Sequence, residues 1–299
     1  MIEKDLIIVG AGPAGLTAAI YAANSGLNFL VISGFTGSAA ATAPAVANYP
    51  GFPEPISGSE LMANFENQAK RLGTQIESDS IEEITKNEDG TFTLKGTLNI
   101  YAAKAVIYAA GALARRLRLG EEPKYFGKGV SVCATCDGHF FKGKDVAVAA
   151  GDRTAASEAI YLANICKTVY YVTKDQEAPK EVLALSNVVP KTNASVSALR
   201  GEKRLEAIEL TDETTKAKET ISVQALFTAV GHDPETAPLK NLPVLDEKGA
   251  VITNADTSTP VPGLFAAGDV TKGAIRQIVF AADSGMQAFL SARKYLRTL

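Results

Sequence analysis

The stretch Asp5-Leu-Ile-Ile-Val-Gly-Ala-Gly-Pro-Ala-Gly15 decides the fold of this chain. Its first five residues, Asp5 to Val9, form a run dominated by Leu, Ile and Val, with the length of a buried parallel strand. Residues 16–23, after the glycines, are rich in helix formers, and residues 29–32 form a second apolar run. A strand, a glycine-rich turn, a helix and a second strand together predict a βαβ unit.

The three glycines of this turn have different physical roles. Gly10 permits the tight turn after the strand, Gly12 lets the backbone approach a pyrophosphate, and Gly15 lets the helix pack against the strand. The N-terminus of the helix then offers its N–H groups to the phosphates. Because strand and helix flank the glycines as the motif requires, the sequence predicts a dinucleotide-binding site here.

One expected element of the site is missing. An acidic residue about 20 positions further on usually holds the adenosine ribose, but the second strand ends in Ser33-Gly34. A serine can donate or accept one hydrogen bond, so we expect a weaker or different arrangement there. Residues 36–44 have the composition of an irregular loop.

Further strands that end close to glycine follow along the chain, and helices separate several of them. This pattern favours parallel sheets that bind ligands beyond the carboxyl ends of their strands. The predicted strands cover residues 105–111, 145–151, 168–173, 225–230 and 263–268, with a helix over 155–165 that makes a second βαβ unit.

Composition bounds the class of protein. The chain has 299 residues, enough for about two domains. With 46% hydrophobic and 21% charged residues it is typical of soluble globular proteins. Its 30 Lys+Arg and 33 Asp+Glu give a net charge of −3, which offers no field for nucleic acid or an anionic membrane. The uncharged segment 6–23 is interrupted by glycine and proline and preceded by Glu3 and Asp5, so we expect no targeting segment and a cytoplasmic protein.

The three cysteines are too few for a disulfide framework, and two of them share the tetrapeptide Cys133-Ala-Thr-Cys136. Such a pair is half of a zinc site, a redox-active disulfide or two inert thiols. A zinc site would need two further ligands from Cys166, His139 and His232, whose spacing forms no zinc motif. The sequence therefore favours the redox pair without a metal, and Cys166 is interpreted as a small core residue.

Asp137 directly follows the pair, and two interpretations of it stay open. In an Asp137-Gly138 turn it is a solvated turn residue, or it is the acid-base group that moves a proton when thiolate and disulfide interchange. A redox disulfide also needs a source of electrons, and a flavin in the predicted dinucleotide site can pass an electron pair to it.

At this point the chain resembles the low-molecular-weight thioredoxin reductases nearly from end to end. The resemblance is carried by residues 10–15, Asn48-Tyr-Pro-Gly-Phe-Pro53, Cys133-Ala-Thr-Cys-Asp-Gly138, and Gly263-Leu-Phe-Ala-Ala-Gly-Asp269 with Arg276-Gln277. It implies an α/β fold of two Rossmann-like, three-layer nucleotide-binding domains, with the second inserted in the first. The expected FAD domain covers residues 1–112 and 243–299, and the expected central domain covers 113–242 and carries the CxxC motif.

The resemblance also implies roles for particular residues and a homodimer. Cys136 is the sulfur nearer the flavin, Cys133 attacks the disulfide of a thioredoxin-like partner, and Asp137 is the general acid. Asp269 holds the ribityl chain of FAD, and Arg276 with Gln277 lines the flavin. The full set of implied cofactor-binding residues is Gly10, Gly12, Pro13, Ala14, Gly15, Ser33, Asn48, Ala110, Gly111, Gly268, Asp269, Arg276 and Gln277.

The chain departs from the family where NADPH binds. Members that use NADPH carry a glycine-rich second turn and arginines for the 2′-phosphate, whereas this chain has Ala149-Ala-Gly-Asp-Arg-Thr-Ala155 and Thr173-Lys-Asp175. Asp175 repels a phosphate dianion, and Lys174 supplies only a point charge where an arginine fork binds best. An acid at that strand end suits the diol of NADH, but the degraded glycine turn counts against NADH as well.

These departures make the chain similar to two pyridine-nucleotide-independent branches. They are the ferredoxin-dependent flavin thioredoxin reductases and the diflavin-linked disulfide oxidoreductases. Ferredoxin-dependent members generally carry a C-terminal extension, and this sequence stops at Arg297-Thr-Leu299, which favours the second branch. We expect an FAD-dependent disulfide oxidoreductase whose donor is ferredoxin or another reductant and not NADPH. The alternatives are a conventional NADPH-dependent reductase with a degenerate site and a flavin-binding redox sensor.

Overall fold

The computed structural model describes residues 1–35, 37–152 and 154–299, so Thr36 of the loop and Arg153 of the second turn lie outside the described residues. The chain divides into an outer unit, Met1–Leu113 with Asp233–Leu299, and a central unit, Ala114–His232. After the central unit, the outer unit resumes at Asp233, whereas the expected FAD domain resumes at residue 243. Leu239 and Val244 explain the difference, because both are fully buried in the outer unit's core.

Most strands follow the apolar runs of the sequence. In chain order the strands are β1 (Ile2–Val9), β2 (Phe29–Ser33), β3 (Ile76–Ser78), β4 (Ile81–Lys86), β5 (Phe92–Gly96), β6 (Ile100–Tyr108), β7 (Ala112–Ala114), β8 (Val130–Ser131), β9 (Asp145–Ala150), β10 (Thr168–Thr173), β11 (Val188–Lys191), β12 (Ala194–Arg200), β13 (Ala207–Asp212), β14 (Lys218–Ser222), β15 (Ala225–Ala229), β16 (His232–Pro234) and β17 (Leu264–Ala266).

The helices are fewer, and three of them are single turns. They are α1 (Pro13–Ala23), α2 (Gly58–Arg71), α3 (Glu122–Tyr125), α4 (Ala134–Asp137), α5 (Ala155–Ala163), α6 (Lys180–Leu183) and α7 (Ile278–Leu296). Short 3-10 segments cover Ala39–Thr42, Gly138–Phe141, Ala237–Leu239 and Gly268–Val270. Among the described residues, no helix has the length and apolar character needed to cross a membrane.

The outer unit is built on a sheet with the order β3-β2-β1-β6-β5-β4, to which β17 adds beside β6. Strands β3, β2, β1, β6 and β17 pair in parallel, whereas β4 and β5 form an antiparallel hairpin against β6. Successive side chains of β1 point to opposite faces of the sheet. Leu6 and Ile8 pack with α1 and α7, and Ile7 and Val9 pack on the other face.

Glycine allows the first and last helices of this unit to touch through their backbones. A Cβ added to Gly285 of α7 would lie 2.0 Å from the carbonyl oxygen of Ala14 in α1. A Cβ on Gly15 would lie 1.8 Å from the carbonyl oxygen of Gly10. These contacts hold the N-terminus of α1 against the turn after β1 and against α7.

The central unit has three layers around a parallel sheet with the order β11-β10-β9-β15-β8. Val146 and Val148 of β9 pack with α5 on one face. Ala147 and Ala149 pack on the other face with the antiparallel sheet β12-β13-β14. The predicted α/β class with two Rossmann-like units is confirmed.

Candidate functional site

The turn between β1 and α1 forms a cradle lined by backbone. Gly10 has φ +110°, and a Cβ there would lie 2.3 Å from the carbonyl oxygen of Ala109. Around Gly12, by contrast, the nearest heavy atom to an added Cβ is Cβ of Ser38 at 3.7 Å, so the space in front of the helix is open. The first helical hydrogen bond runs from the Leu16 N–H to the Gly12 oxygen at 2.9 Å.

The amides of Ala14 and Gly15 therefore have no acceptor within the helix. No acidic residue lies in the first turn of α1, and Pro13 stands at its start. A helix N-terminus with free N–H groups and open space in front of it suits a phosphate. The turn after β1 therefore suits the pyrophosphate contact that the sequence predicts, and the contact itself stays a prediction.

Two of the other predicted residues meet this turn. Ala110 follows β6, the parallel neighbour of β1, and its Cα would lie 3.1 Å from a Cβ on Gly10. Gly268 has φ +75°, and a Cβ there would lie 3.0 Å from Cβ of Ala14. Gly111, with φ +80°, directly follows Ala110. The carboxyl ends of β1, β6 and β17 therefore bring these predicted residues together.

Asp269 and Arg276 lie half-buried in the segment before α7. Burial raises the pKa of Asp269 to about 6, although the positive charge of Arg276 acts in the opposite direction. Nε of Arg276 is buried without a hydrogen-bond partner in the described part of the chain. A carboxyl and an unsatisfied guanidinium N–H are suited to hydroxyl and carbonyl groups of a bound ligand.

Asn48 and Gln277 contact each other although 229 positions separate them: the Asn48 amide donates to Oε1 of Gln277 at 3.0 Å. Gln277 is the residue that caps the N-terminus of α7. Ser33, the last residue of β2, takes no part in the Asn48–Gln277 hydrogen bond. Its carbonyl accepts from the N–H of Asp79 at 3.0 Å, and its hydroxyl makes no hydrogen bond to any described residue.

In the central unit Cys133 and Cys136 form a disulfide, as the redox interpretation predicts. Cys133 is the N-cap of α4 and Cys136 lies within that single turn. Cys166 is buried, its thiol faces the carbonyl oxygen of Phe141 at 3.4 Å, and burial raises its pKa to about 11. Within residues 1–35, 37–152 and 154–299, no three His, Cys, Asp or Glu side chains group as metal ligands.

Asp137 is not a freely solvated turn residue. Its Oδ2 accepts a hydrogen bond of 2.7 Å from the Ser131 hydroxyl, which also accepts from the Cys133 N–H at 3.1 Å. Burial raises the pKa of Asp137, against the opposing effects of the Ser131 hydrogen bond and the charge of His139. A carboxyl group with a raised pKa beside a disulfide has the properties of a proton donor.

The loop that carries the disulfide lies tightly on α5. A Cβ added to Gly138 would lie 3.0 Å from side-chain atoms of both Tyr161 and Leu162 and 3.2 Å from one of Ile165. Glycine at this position lets the backbone of the loop approach the helix. This close contact between Gly138 and α5 fixes the position of the disulfide turn in the central unit.

The turn between β9 and α5 differs from its counterpart in the outer unit. Oδ1 of Asp152 accepts from the Thr154 N–H at 2.8 Å and from its hydroxyl at 2.6 Å. Glu158, in the first turn of α5, has its pKa raised to about 7, first by burial and second by the charge of Asp152. Its Oε2 has no partner in the described part of the chain.

Sequence reasoning missed three side chains of these sites. Ser131 bridges Cys133 and Asp137, and Asp152 binds the start of α5. Ser284 is buried in α7 and accepts from the N–H of Gly268 at 2.9 Å. The only available signal for Asp152 is its place where the turn would otherwise have a glycine. The two serines carry no signal, because hydroxyl residues are common and their partners depend on the folded backbone.

Comparisons with family models, curated sequences and solved structures all point to the same family. The family model described as "Pyridine nucleotide-disulphide oxidoreductase" matches residues 4–285. A thioredoxin reductase of Coxiella burnetii is 38% identical over 99% of this chain and 98% of its own length.

Solved structures agree. Thioredoxin reductase from Streptococcus pyogenes is 31% identical, with a TM-score of 0.93 and 99% of each chain covered. A ferredoxin-flavin thioredoxin reductase from Clostridium acetobutylicum is 30% identical, with a TM-score of 0.55 and 100% of each chain covered. Together with the disulfide and the glycine-rich turn after β1, these similarities show that the chain belongs to the thioredoxin reductase family of flavin disulfide oxidoreductases.

Proposed function

We propose that this protein is an FAD-dependent thioredoxin reductase-type enzyme whose electron donor is not NADPH. Electrons pass between FAD in the outer unit and the Cys133–Cys136 disulfide of the central unit, and then to a thioredoxin-like protein. The observation that carries the disulfide chemistry is the Cys133–Cys136 pair with Asp137 hydrogen-bonded beside it. The observation that carries the choice of donor is the carboxylate of Asp152 at the start of α5.

The residues of the outer unit fit FAD. The open space before Gly12 and the free amides of Ala14 and Gly15 suit its pyrophosphate. The carboxyl of Asp269 suits the hydroxyls of a ribityl chain, and the unsatisfied Nε of Arg276 suits a ring oxygen or nitrogen. When bound, FAD supplies the electron pair that a disulfide needs.

At the disulfide, two electrons and two protons convert the two sulfurs into two thiols. Asp137 has a raised pKa, so its protonated form persists to higher pH than that of an ordinary aspartate. We assign it the role of giving a proton to the thiolate that leaves when the disulfide opens. Cys133, the N-cap of α4, then attacks the partner's disulfide as a thiolate, and Cys136 resolves the mixed disulfide.

The second dinucleotide turn argues against a pyridine nucleotide. Counted from the strand, Ala150, Asp152 and Ala155 stand where the first turn has its three glycines. The Asp152 carboxylate takes the N–H of Thr154 at the entrance of α5, a donor that a pyrophosphate would use. The negative charge of Asp152 also repels a phosphate group. The carboxylate therefore occupies the position at the start of α5 where the phosphate of a nucleotide would bind.

The end of β10 gives the same indication. Lys174 is the only cation within residues 173–177 and makes an exposed ion pair with Glu213 at 3.8 Å. Asp175 and Glu177 beside it are exposed carboxylates. No arginine fork for a 2′-phosphate stands in this segment, so NADPH would meet net negative charge here.

An anaerobic titration of the purified holoprotein tests the donor. We expect micromolar NADPH or NADH to leave the flavin absorbance unchanged and dithionite to bleach it. Rapid bleaching by NADPH would show a conventional reductase, the second candidate, which the pyridine nucleotide family description favours. A reduced ferredoxin is the next donor to test, because one similar protein is named for ferredoxin.

The partner is tested by repeated turnover. The photoreduced enzyme is mixed with an excess of oxidised thioredoxin, and free thiols are counted for each enzyme molecule. We expect many thioredoxin disulfides to be reduced for each enzyme under continuous photoreduction. A single reduction or none would instead identify a redox sensor whose disulfide does not turn over.

A further inference from the structure

We propose that Ser131 is a positioning residue that sets the orientation and the protonation of Asp137 during thiol-disulfide exchange. The inference rests on the proposed function, because it assumes that Asp137 is the acid of that reaction. It concerns a side chain that stands outside the CxxC motif and that the sequence alone does not single out.

The hydroxyl of Ser131 joins both working parts of the motif. Ser131 is the last residue of β8 and is 6% exposed. Its Oγ accepts from the Cys133 N–H at 3.1 Å and lies 2.7 Å from Oδ2 of Asp137. Oγ also lies 3.4 Å from the Cys133 carbonyl oxygen. A hydroxyl has only one hydrogen to donate. The Asp137 carboxylate is both the closer and the stronger of the two acceptors, so Ser131 donates its hydrogen to Asp137.

Ser131 makes a second hydrogen bond, through its backbone, that does not reach Asp137. The hydroxyl of Thr228 in β15 lies 3.4 Å from the Ser131 carbonyl oxygen, and Thr228 is 2% exposed. That contact holds the backbone of Ser131, whereas only the Ser131 hydroxyl reaches the carboxylate. The chain thus contains a matched control for a purely structural role.

The environment of Asp137 explains why such a hydroxyl matters. Burial favours its neutral form, and the donated hydrogen bond and His139 favour its charged form. Glu158 and Tyr161 are the titratable groups of α5, the helix against which Gly138 of this loop packs. A proton donor must be protonated before the step and able to lose the proton during it. Ser131 supports the second condition by stabilising the carboxylate.

The direct test measures the protonation of Asp137 in the oxidised full-length protein. Aspartate side chains are labelled with carbon-13, the Asp137 signal is assigned by its loss in Asp137→Asn, and its titration is followed by NMR. In Ser131→Ala we expect the midpoint to move to higher pH, because the carboxylate loses its donor. Ser131→Thr should restore the wild-type midpoint, and Thr228→Val should leave it unchanged.

Two results of this titration overturn the inference. The first is a midpoint in Ser131→Ala that stays in place or moves to lower pH. The second is an equal movement in Thr228→Val, which would show that a general loosening of the loop accounts for the effect.

A kinetic test uses neither the natural donor nor thioredoxin. The Cys133–Cys136 disulfide of the holoprotein is reduced with excess dithiothreitol at a series of pH values, and each variant's rate is divided by that of wild type. This ratio cancels the ionisation of the reagent. We expect Ser131→Ala to be about tenfold slower at low pH, the loss that corresponds to one hydrogen bond to a charged group.

The ratio should then rise with pH, because the variant keeps its acid protonated to higher pH than wild type does. Glu158→Gln removes the acidic residue of α5 and should show no such rise. A constant ratio in Ser131→Ala, or a wild-type rate in Asp137→Asn, would overturn the inference. Failure to reduce thioredoxin would contradict the proposed function alone, because neither readout involves thioredoxin.

Discussion

Glu158 gives a prediction whose size follows from its environment. Its carboxyl is buried in the first turn of α5 beside Asp152, and its pKa is raised from 4.5 to about 7. Each unit of difference between the folded and unfolded pKa corresponds to about 1.4 kcal/mol. The folded chain therefore resists ionising a group that ionises readily when the chain unfolds.

The sign follows from the direction of the shift. For an acid whose folded pKa is raised, the cost is absent below the unfolded pKa, grows between 4.5 and about 7, and is complete above it. Between pH 5 and pH 8 this amounts to about 2 kcal/mol once residual solvent screening is allowed for. The central unit of wild type should lose that much stability over this interval on account of Glu158.

Glu158→Gln removes the ionisation and should abolish this loss. The assay is native-state hydrogen exchange of the α5 amides at pH 5 and pH 8, which reports the opening of this region without assuming that the whole chain unfolds in one step. The readout is the change with pH in the free-energy difference between variant and wild type, since any cost of burying the glutamine amide is the same at both pH values. Glu177→Gln, an exposed site, is the control. A difference that does not grow with pH would refute the reasoning.

The remaining predictions concern cofactor and disulfide. Gly12→Val fills the open space before α1, so we expect at least tenfold weaker retention of flavin with unchanged unfolding of the apoprotein, whereas Gly34→Ala retains flavin. Cys136→Ser abolishes turnover with thioredoxin in a thiol assay, and Cys166→Ser preserves it. Asp152→Gly removes the internal carboxylate, and calorimetry should show NADPH affinity at least tenfold above wild type. Unchanged affinity would mean that other parts of the turn exclude the nucleotide.

Local signals made the Rossmann-like elements predictable. β10 has the bounds that the sequence predicts, 168–173, because a buried parallel strand is a continuous apolar run. The predicted helix over 155–165 ends at Ala163, two residues early, where Asn164 forms the C-cap. The predicted loop over 36–44 includes a 3-10 turn at Ala39–Thr42, capped by the hydroxyl of Ser38.

Antiparallel elements were harder to predict. Strands β12, β13 and β14 carry charged side chains that pair across the sheet: Glu209 of β13 pairs with Arg200 of β12 and with Lys218 of β14. Their apolar positions are few and alternate with polar ones. Whether such a segment forms a strand depends on the layer against which those apolar side chains pack. The sequence pattern alone therefore does not indicate this sheet.

The site shows the same division between local and distant information. The disulfide and Asp137 lie within five consecutive residues, so their proximity is written in the sequence. The contact of Asn48 with Gln277 joins distant segments. The resemblance to a family named both residues, but their pairing depends on how the loop after β2 meets the start of α7. Contacts of this kind require the folded backbone.

The close packing of α1 on α7 has a consequence for synthesis. Gly285 lets α7 contact Ala14 at a distance that no other residue permits, so the outer unit needs residues from both ends of its sequence to complete its core. The central unit is a continuous segment, Ala114–His232, with its own core. During synthesis the central unit is therefore complete and able to fold before α7 has left the ribosome. Until then, the N-terminal strands lack the helix that completes their core. The exposed apolar faces of β1 and α1 in that interval are where the nascent chain is most in need of a chaperone.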